Sequence, residues 1–211
     1  MNNLIYQCHV GNHDHVKYSV DHFKKYADIH EVQYCFENRR FNDYKTKHIF
    51  NLTFEKLRPI VDKTFDLYDN ILVVDTDVLI SKPYKNIFDV NFYNIAMVYD
   101  HELSKHYKHN HFNSGVVLTT KPFRQRYREE FNKWQEFLIE NSEDLRSTQT
   151  SDEYFIKKTL RDNQIDVTFL SKIWNCWYRN SGNVDYAFLH FCNTDKKHMK
   201  QMYKVLENKW K

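Results

Sequence analysis

Apolar positions along the chain alternate between two rhythms, one fitting strands and one fitting helices. LIYQCHV (4–10) reads as a buried strand and ends at Gly11-Asn12, a turn signal. Val16, Val20, Phe23 and Ala27 then recur at helical spacing and predict a helix with one buried face. EVQYCFE (31–37) returns to strand character. Phe54, Leu57, Val61, Phe65 and Tyr68 give a second helical stripe, interrupted by Pro59, so this helix either begins late or kinks. Residues 71–75 of ILVVDTDVLI (71–80) are the third strand, and Ser81-Lys82-Pro83 breaks the pattern.

Downstream, NIAMVYD (94–100) is a strand and HFNSGVVLTT (111–120) a loop followed by one. Phe123, Tyr127, Phe131, Trp134 and Leu138 form the clearest stripe, with Pro122 well placed at its start. Ser151 or Asp152 caps a short helix carrying Phe155, Ile156, Thr159 and Leu160. DVTFLS (166–171) and AFLHF (187–191) are short strands, and Met199, Tyr203, Leu206 and Trp210 mark a closing helix. The order β-α-β-α-β predicts an α/β fold whose sheet is largely parallel in its first half. The chain has no internal repeat, linker or low-complexity tract, so a single domain is expected. Its charged end, ENKWK, is also compatible with a domain of a larger protein.

Composition narrows this little. The 211 residues are 41% hydrophobic, enough for a sizeable core. A net charge of +3 is too small to mark a nucleic-acid protein and suits an anionic substrate. The sequence shows no membrane span, and its start, MNNLIYQCHV, lacks the features of a secretory leader, so a cytoplasmic protein is expected. Cys8, Cys35, Cys176 and Cys192 show no C-x-x-C spacing, which favours reduced thiols over a zinc site.

The chemistry concentrates at Asp75 and Asp77. Two carboxylates at the end of an apolar run are costly unless a cation or hydrogen bonds compensate. On an extended backbone they point to the same side, at the strand end where α/β sheets bind ligands. Such a pair can seat Mg²⁺ or Mn²⁺, which also bridges nucleotide phosphates. A chance D-x-D with Asp77 capping a turn is the plainer alternative. Taken singly, His190 is a core histidine, Lys196 a solvated lysine, Asn113-Ser114 a polar turn and Asp152 a helix cap.

In order along the chain, FEKLRPIVDKTFDLYDNILVVDTDVLI (54–80), HFNSGVVL (111–118), SDEYFIKK (151–158) and HFCNTDKK (190–197) resemble four segments of the GT-A fold glycosyltransferases. The likeness is to the glycogenin and lipopolysaccharide galactosyltransferase family. The whole chain is also similar to the glycosyltransferase domain encoded by large viruses of green algae. The resemblance implies a single GT-A type, Rossmann-like domain over residues 1–211, with a mixed, mostly parallel central sheet flanked by helices. Its nucleotide-binding half would cover about residues 1–80 and its acceptor and sugar half about 81–211.

The implied activity is metal-dependent, retaining transfer of a hexose or deoxyhexose from a UDP-sugar to a glycan or other hydroxyl acceptor. The resemblance implies Asp75, Asp77 and His190 as ligands of Mn²⁺ or Mg²⁺, and Lys196 on the diphosphate. Asn113 and Ser114 would face the donor sugar, and Asp152 would lie beside the reacting carbon. His9, Val10, Gly11 and Asn12 match only by position, where the family binds uracil. The basic residue ahead of the aspartates is Lys56 or Arg58, depending on a two-residue gap. Asn193 replaces the family's Gly, Lys197 its Pro, Glu153 its Gln and Lys157 its helix Asn.

Read from the residues alone, Asp152 could be the general base of an inverting transfer, or could stabilise or trap an oxocarbenium-like sugar from the other face. A haloacid-dehalogenase-type phosphatase fits less well, because Leu79 stands where Thr or Val is expected. A binding module using RRFNDYKTKH (39–48) to contact phosphates or stack bases is the non-enzyme alternative; the same segment also suits a surface loop over the donor.

Overall fold

The structure is a computed structural model that describes residues 1–41, 49–99, 112–141, 152–182 and 185–210. Most of the basic segment 39–48 lies outside the described residues, as do Asp100, His111 and Ser151. The first half contains β1 (Asn3–Cys8), α1 (Val16–Ile29), β2 (Gln33–Glu37), α2 (Arg58–Val61), β3 (Asn70–Val74), β4 (Val78–Ile80) and β5 (Ile95–Tyr99). The second contains β6 (Phe112–Thr120), α3 (Lys121–Asn141), α4 (Asp152–Asp162), β7 (Val167–Leu170), β8 (Cys176–Trp177), β9 (Phe188–His190) and α5 (Met199–Glu207).

Six strands form the main sheet in the order β2-β1-β3-β6-β5-β7, with only β6 antiparallel to its neighbours. The fold is α/β with a mixed, mostly parallel sheet flanked by helices, as expected. A small second sheet, β4-β9-β8, was not expected as a sheet, although AFLHF (187–191) anticipated β9. Its strands are two or three residues long, too short to show a period.

Alternation along the strands divides the core. Tyr6, Ile71, Val73 and Met97 face Phe123 and Phe131 of α3 and Phe155 of α4. Ile5, Leu72, Val74 and Val98 face the other way, toward Phe23 and Tyr26 of α1 and Phe188 of the small sheet. Leu79 and Leu189, on the far face of the small sheet, pack under Met199 and Leu206 of α5. Among the described residues no helix is long and apolar enough to cross a membrane.

The expected helix over 54–68 is broken into a 3₁₀ run (Ile49–Leu57), α2 and a second 3₁₀ run (Lys63–Leu67). Pro59 explains the break: lacking an N–H, it fits the first turn of α2 and no later position. Asp62 then caps the next turn by accepting from Thr64 N at 2.9 Å.

In α1 the buried face includes Ser19, His22 and Tyr26, while Val20 is only half-buried. His22 is fully buried, accepts a hydrogen bond from Ile80 N at 3.0 Å and stacks on Trp210. Its Nε2 faces Glu207 Oε1 of α5 at 3.3 Å. Burial pushes His22 down to about 3, so the unfolded chain binds the extra proton first as pH falls below 6.5. Stability is therefore expected to drop by up to ~3 kcal/mol between pH 6.5 and 4 through this residue. Urea denaturation of His22→Gln, which keeps an acceptor for Ile80 N, should show a correspondingly shallower acid loss. An equal loss in both proteins would assign the acid sensitivity elsewhere.

Candidate functional site

β3 is buried at every position, which is why it reads as an unbroken apolar run. It ends at Val74, one residue earlier than expected, because the chain changes sheets there. Asp75 N still donates to Gly115 O at 2.9 Å, Thr76 and Asp77 form a turn, and β4 opens the small sheet. The two aspartates are thus not brought together by an extended strand, as the spacing suggested; the turn between the sheets does it. β9 pairs antiparallel with β4, setting Val78 opposite His190, and Phe191 N donates to Asp77 O at 2.8 Å. That pairing carries His190 to the aspartates from 113 residues further along the chain (190 minus 77).

Asp75, Asp77 and His190 each offer one ligand atom, and these atoms lie within 4.8 Å of one another. His190 Nε2 is 3.0 Å from Asp77 Oδ1 and 3.9 Å from Asp75 Oδ2. Asp77 Oδ1 is buried and faces the His190 ring nitrogen. Two carboxylate oxygens and one imidazole nitrogen gathered this closely are a donor set that fits a divalent cation such as Mn²⁺ or Mg²⁺.

Burial alone would raise Asp77, but His190 and Lys196 outweigh it and hold the carboxyl below the usual range. Burial raises Asp75, with Lys56 opposing and the Asp77 charge adding to the rise. Burial opposes charge on His190, yet Asp77 lifts it well above the usual histidine range.

A second charged group adjoins the first. Lys56 Nζ lies 2.7 Å from both Asp75 Oδ1 and Asp152 Oδ2 and donates to Ser114 O at 3.0 Å. Burial disfavours its charge, but the two carboxylates raise it above an ordinary lysine. Lys196 Nζ meets Asp77 Oδ2 at 2.9 Å and is 38% exposed at the rim.

Lys56, Asp75, Asp77 and Lys196 line a cleft of about 230 Å³ together with His9, Val10, Ser114 and Asp152, whereas His190 and Asn113 do not line it. Of the two candidates ahead of the aspartates, Lys56 reaches the cleft and Arg58 does not. Arg58 pairs with Glu37 and Asp62 and lies over the Phe41 ring, because α2 turns it to the other side. Gly11 and Asn12 are exposed and do not line the cleft. Asn113 points its Oδ1 inward, accepting from Gly115 N and Asn175 Nδ2.

The sequence reading passed over Thr53, Thr76, His13 and Asn175. His9 bonds Thr76 Oγ1 at 3.0 Å through Nδ1 and lies 2.7 Å from His13 through Nε2, with His15 packed beside both. Burial and the neighbouring histidines push His9 down to about 4. The run H-V-G-N-H-D-H was a visible signal for this cluster.

Three departures from the family pattern have a physical account. Asn193 stands at φ 51°, a left-handed conformation that Gly adopts freely and Asn tolerates better than most residues. Glu153 and Lys157 lie one turn apart on α4 and pair at 2.7 Å, so the two replacements compensate each other. Nothing in the structure explains Lys197.

Gly115 leaves room for the His190 ring. A Cβ at this position would sit 2.5 Å from His190 Cε1 and 2.9 Å from Asn113 Oδ1. Gly115→Ala must displace the buried ring, and Mn²⁺ affinity is expected to fall about tenfold or more by calorimetric titration. Unchanged affinity would show that the ring position is unimportant.

No protein-family model matches the sequence, and no curated protein does. Among solved structures, the fold is similar to that of a glycosyltransferase involved in the glycosylation of the major capsid of PBCV-1. The TM-score is 0.70 at 14% identity, over 97% of this chain and 100% of that one. It is also similar to two structures of the glycosyltransferase GlyE of Streptococcus pneumoniae TIGR4. Their TM-scores are 0.57 and 0.58 at 12% and 13% identity, over 100% of this chain and 64% and 63% of theirs. This chain therefore spans under two thirds of the length of GlyE. The chain has the fold of the GT-A glycosyltransferases, with an Asp-Asp-His cluster where its two sheets meet.

Proposed function

We propose that the chain is a metal-dependent glycosyltransferase that moves a hexose or deoxyhexose from a UDP-sugar to a glycan or other hydroxyl acceptor, with retention. The observation that carries this reading is the convergence of Asp75, Asp77 and His190 in a glycosyltransferase fold, where the two aspartates line a polar cleft. These three residues would hold Mn²⁺ or Mg²⁺, whose charge would offset that of the diphosphate leaving group.

The remaining residues supply position and charge. Lys196, at the rim, offers a point charge to the diphosphate as the bond between it and the anomeric carbon breaks. Ser114, in the cleft wall, offers its hydroxyl to the sugar. Asn113 does not line the cleft, and its Oδ1 accepts from Gly115 N and Asn175 Nδ2, so its part in the site is to brace Gly115 and Asn175. His9 and His13, in the segment after β1, line the cleft and would border a nucleobase there.

Asp152 Oδ2 is held by Lys56 at 2.7 Å. A base for the acceptor hydroxyl would have to give up or share that ion pair. A carboxylate that stabilises positive charge at the anomeric carbon need not, and this favours retention over inversion. The four cysteines are free, which fits the reducing cytoplasm.

Calorimetric titration of UDP with and without Mn²⁺ tests the reading. UDP should bind at least about tenfold more tightly with the metal, a difference of ~1.4 kcal/mol. UDP affinity indifferent to metal would sink the assignment. Slow hydrolysis of UDP-glucose, UDP-galactose and a UDP-deoxyhexose without acceptor would rank the donors.

A further inference from the structure

Asn175 is buried between His190 and Asn113, at the entrance to β8. Two hydrogen bonds of a three-bond series run through it. Gly115 N donates to Asn113 Oδ1 at 2.8 Å. Asn175 Nδ2 donates to the same oxygen at 2.7 Å. Asn175 Oδ1 then lies 2.9 Å from His190 Nδ1.

The direction of this series follows from its first member. Gly115 N–H is a backbone donor and cannot reverse, so Asn113 must present its oxygen there. Asn175 must in turn present its NH₂ to that oxygen, which leaves its carbonyl for His190. A carbonyl only accepts, so His190 Nδ1 carries a proton. In the neutral ring, Nε2 is then the lone-pair nitrogen, and it lies 3.0 Å from Asp77 Oδ1. Two acceptors at that distance repel unless a cation satisfies them both. Without metal a proton on Nε2 can serve; with metal, the cation takes its place.

We infer that Asn175 is a positioning residue that holds His190 with its proton on Nδ1, so that Nε2 is directed to a divalent cation shared with Asp75 and Asp77. The inference rests on the proposed metal reading, but it concerns a residue outside the ligand set. Partners of this kind fix ring orientation and tautomer, and losing one typically costs about 10- to 100-fold in metal affinity.

Two variants separate positioning from plain packing. Asn175→Leu removes both hydrogen bonds. Asn175→Asp keeps an acceptor for Nδ1–H, but replaces the donor to Asn113 with an oxygen facing Asn113 Oδ1. Both lose the bond to Asn113, so melting temperatures of both metal-free variants should fall.

Calorimetric titration with Mn²⁺ should split them: about 10- to 100-fold weaker binding for N175L, and binding within about threefold of wild type for N175D. In cadmium-loaded, ¹⁵N-histidine-labelled wild type, nitrogen NMR should show His190 bound through Nε2 with the proton on Nδ1. Wild-type affinity in N175L, equal weakening in both variants, or coordination through Nδ1 would each overturn the inference. Failure of wild type to bind Mn²⁺ would overturn the metal reading itself, whereas wild-type binding with unaffected N175L overturns only the role of Asn175.

Discussion

Replacing Asp77 with alanine is expected to abolish the Mn²⁺ dependence of UDP binding and to lower sugar transfer on the order of 10³-fold. The size follows from losing several kcal/mol of leaving-group stabilisation, at about 1.4 kcal/mol per tenfold in rate. Asp77 is the residue on which the site converges: His190 pairs with one of its oxygens and Lys196 with the other. The variant should nevertheless fold. Lys196 is 38% exposed and can turn to water, and His190, without a carboxylate to hold its charge, can lose its proton. Circular dichroism and a melting curve would establish that the fold survives. Mn²⁺-dependent UDP binding within threefold of wild type would contradict the ligand assignment.

Replacing Lys56 with methionine is expected to act on stability first. Its ammonium is buried and bridges Asp75 and Asp152. Removing it leaves two carboxylates without their common cation, and uncompensated buried charge typically costs about 3–5 kcal/mol. The deficit should depend on pH in a definite direction. Burial already raises Asp75 and Lys56 opposes that rise, so the variant's carboxyl should take up a proton more readily. Acid then relieves the repulsion, and the deficit at pH 5 should be smaller than at pH 7. Urea unfolding at the two values measures this. Adding Asp152→Asn to the variant should recover part of the loss, giving a coupling energy by double-mutant cycle. A deficit under ~1 kcal/mol, or one unchanged by pH, would show that the bridge contributes little.

The central elements were legible because they obey local rules. β3 is apolar throughout because both of its faces are covered, and α3 shows a regular stripe because it lies along one face of the main sheet. Asp75 and Asp77 stood out because charge at the end of such a run must be compensated. The reason given for their convergence was wrong, however. Spacing suggested a shared strand face, whereas a turn between two sheets unites them. The stripe over 54–68 was also misleading, since the same apolar spacing serves a broken path around Pro59.

Residue types and spacing were enough to indicate an α/β chain, its main strands, the carboxylate pair and, by likeness, a set of partners for it. They could not choose between Lys56 and Arg58, two residues apart, because a two-residue gap is allowed on either side; the start of α2 sends one into the cleft and the other away. Nor could they reveal Asn175, an ordinary buried amide until β8 and β9 set it beside His190. Local patterns record what each segment needs to bury. Which charges meet is decided by pairings between distant short strands, and those exist only once the chain has folded.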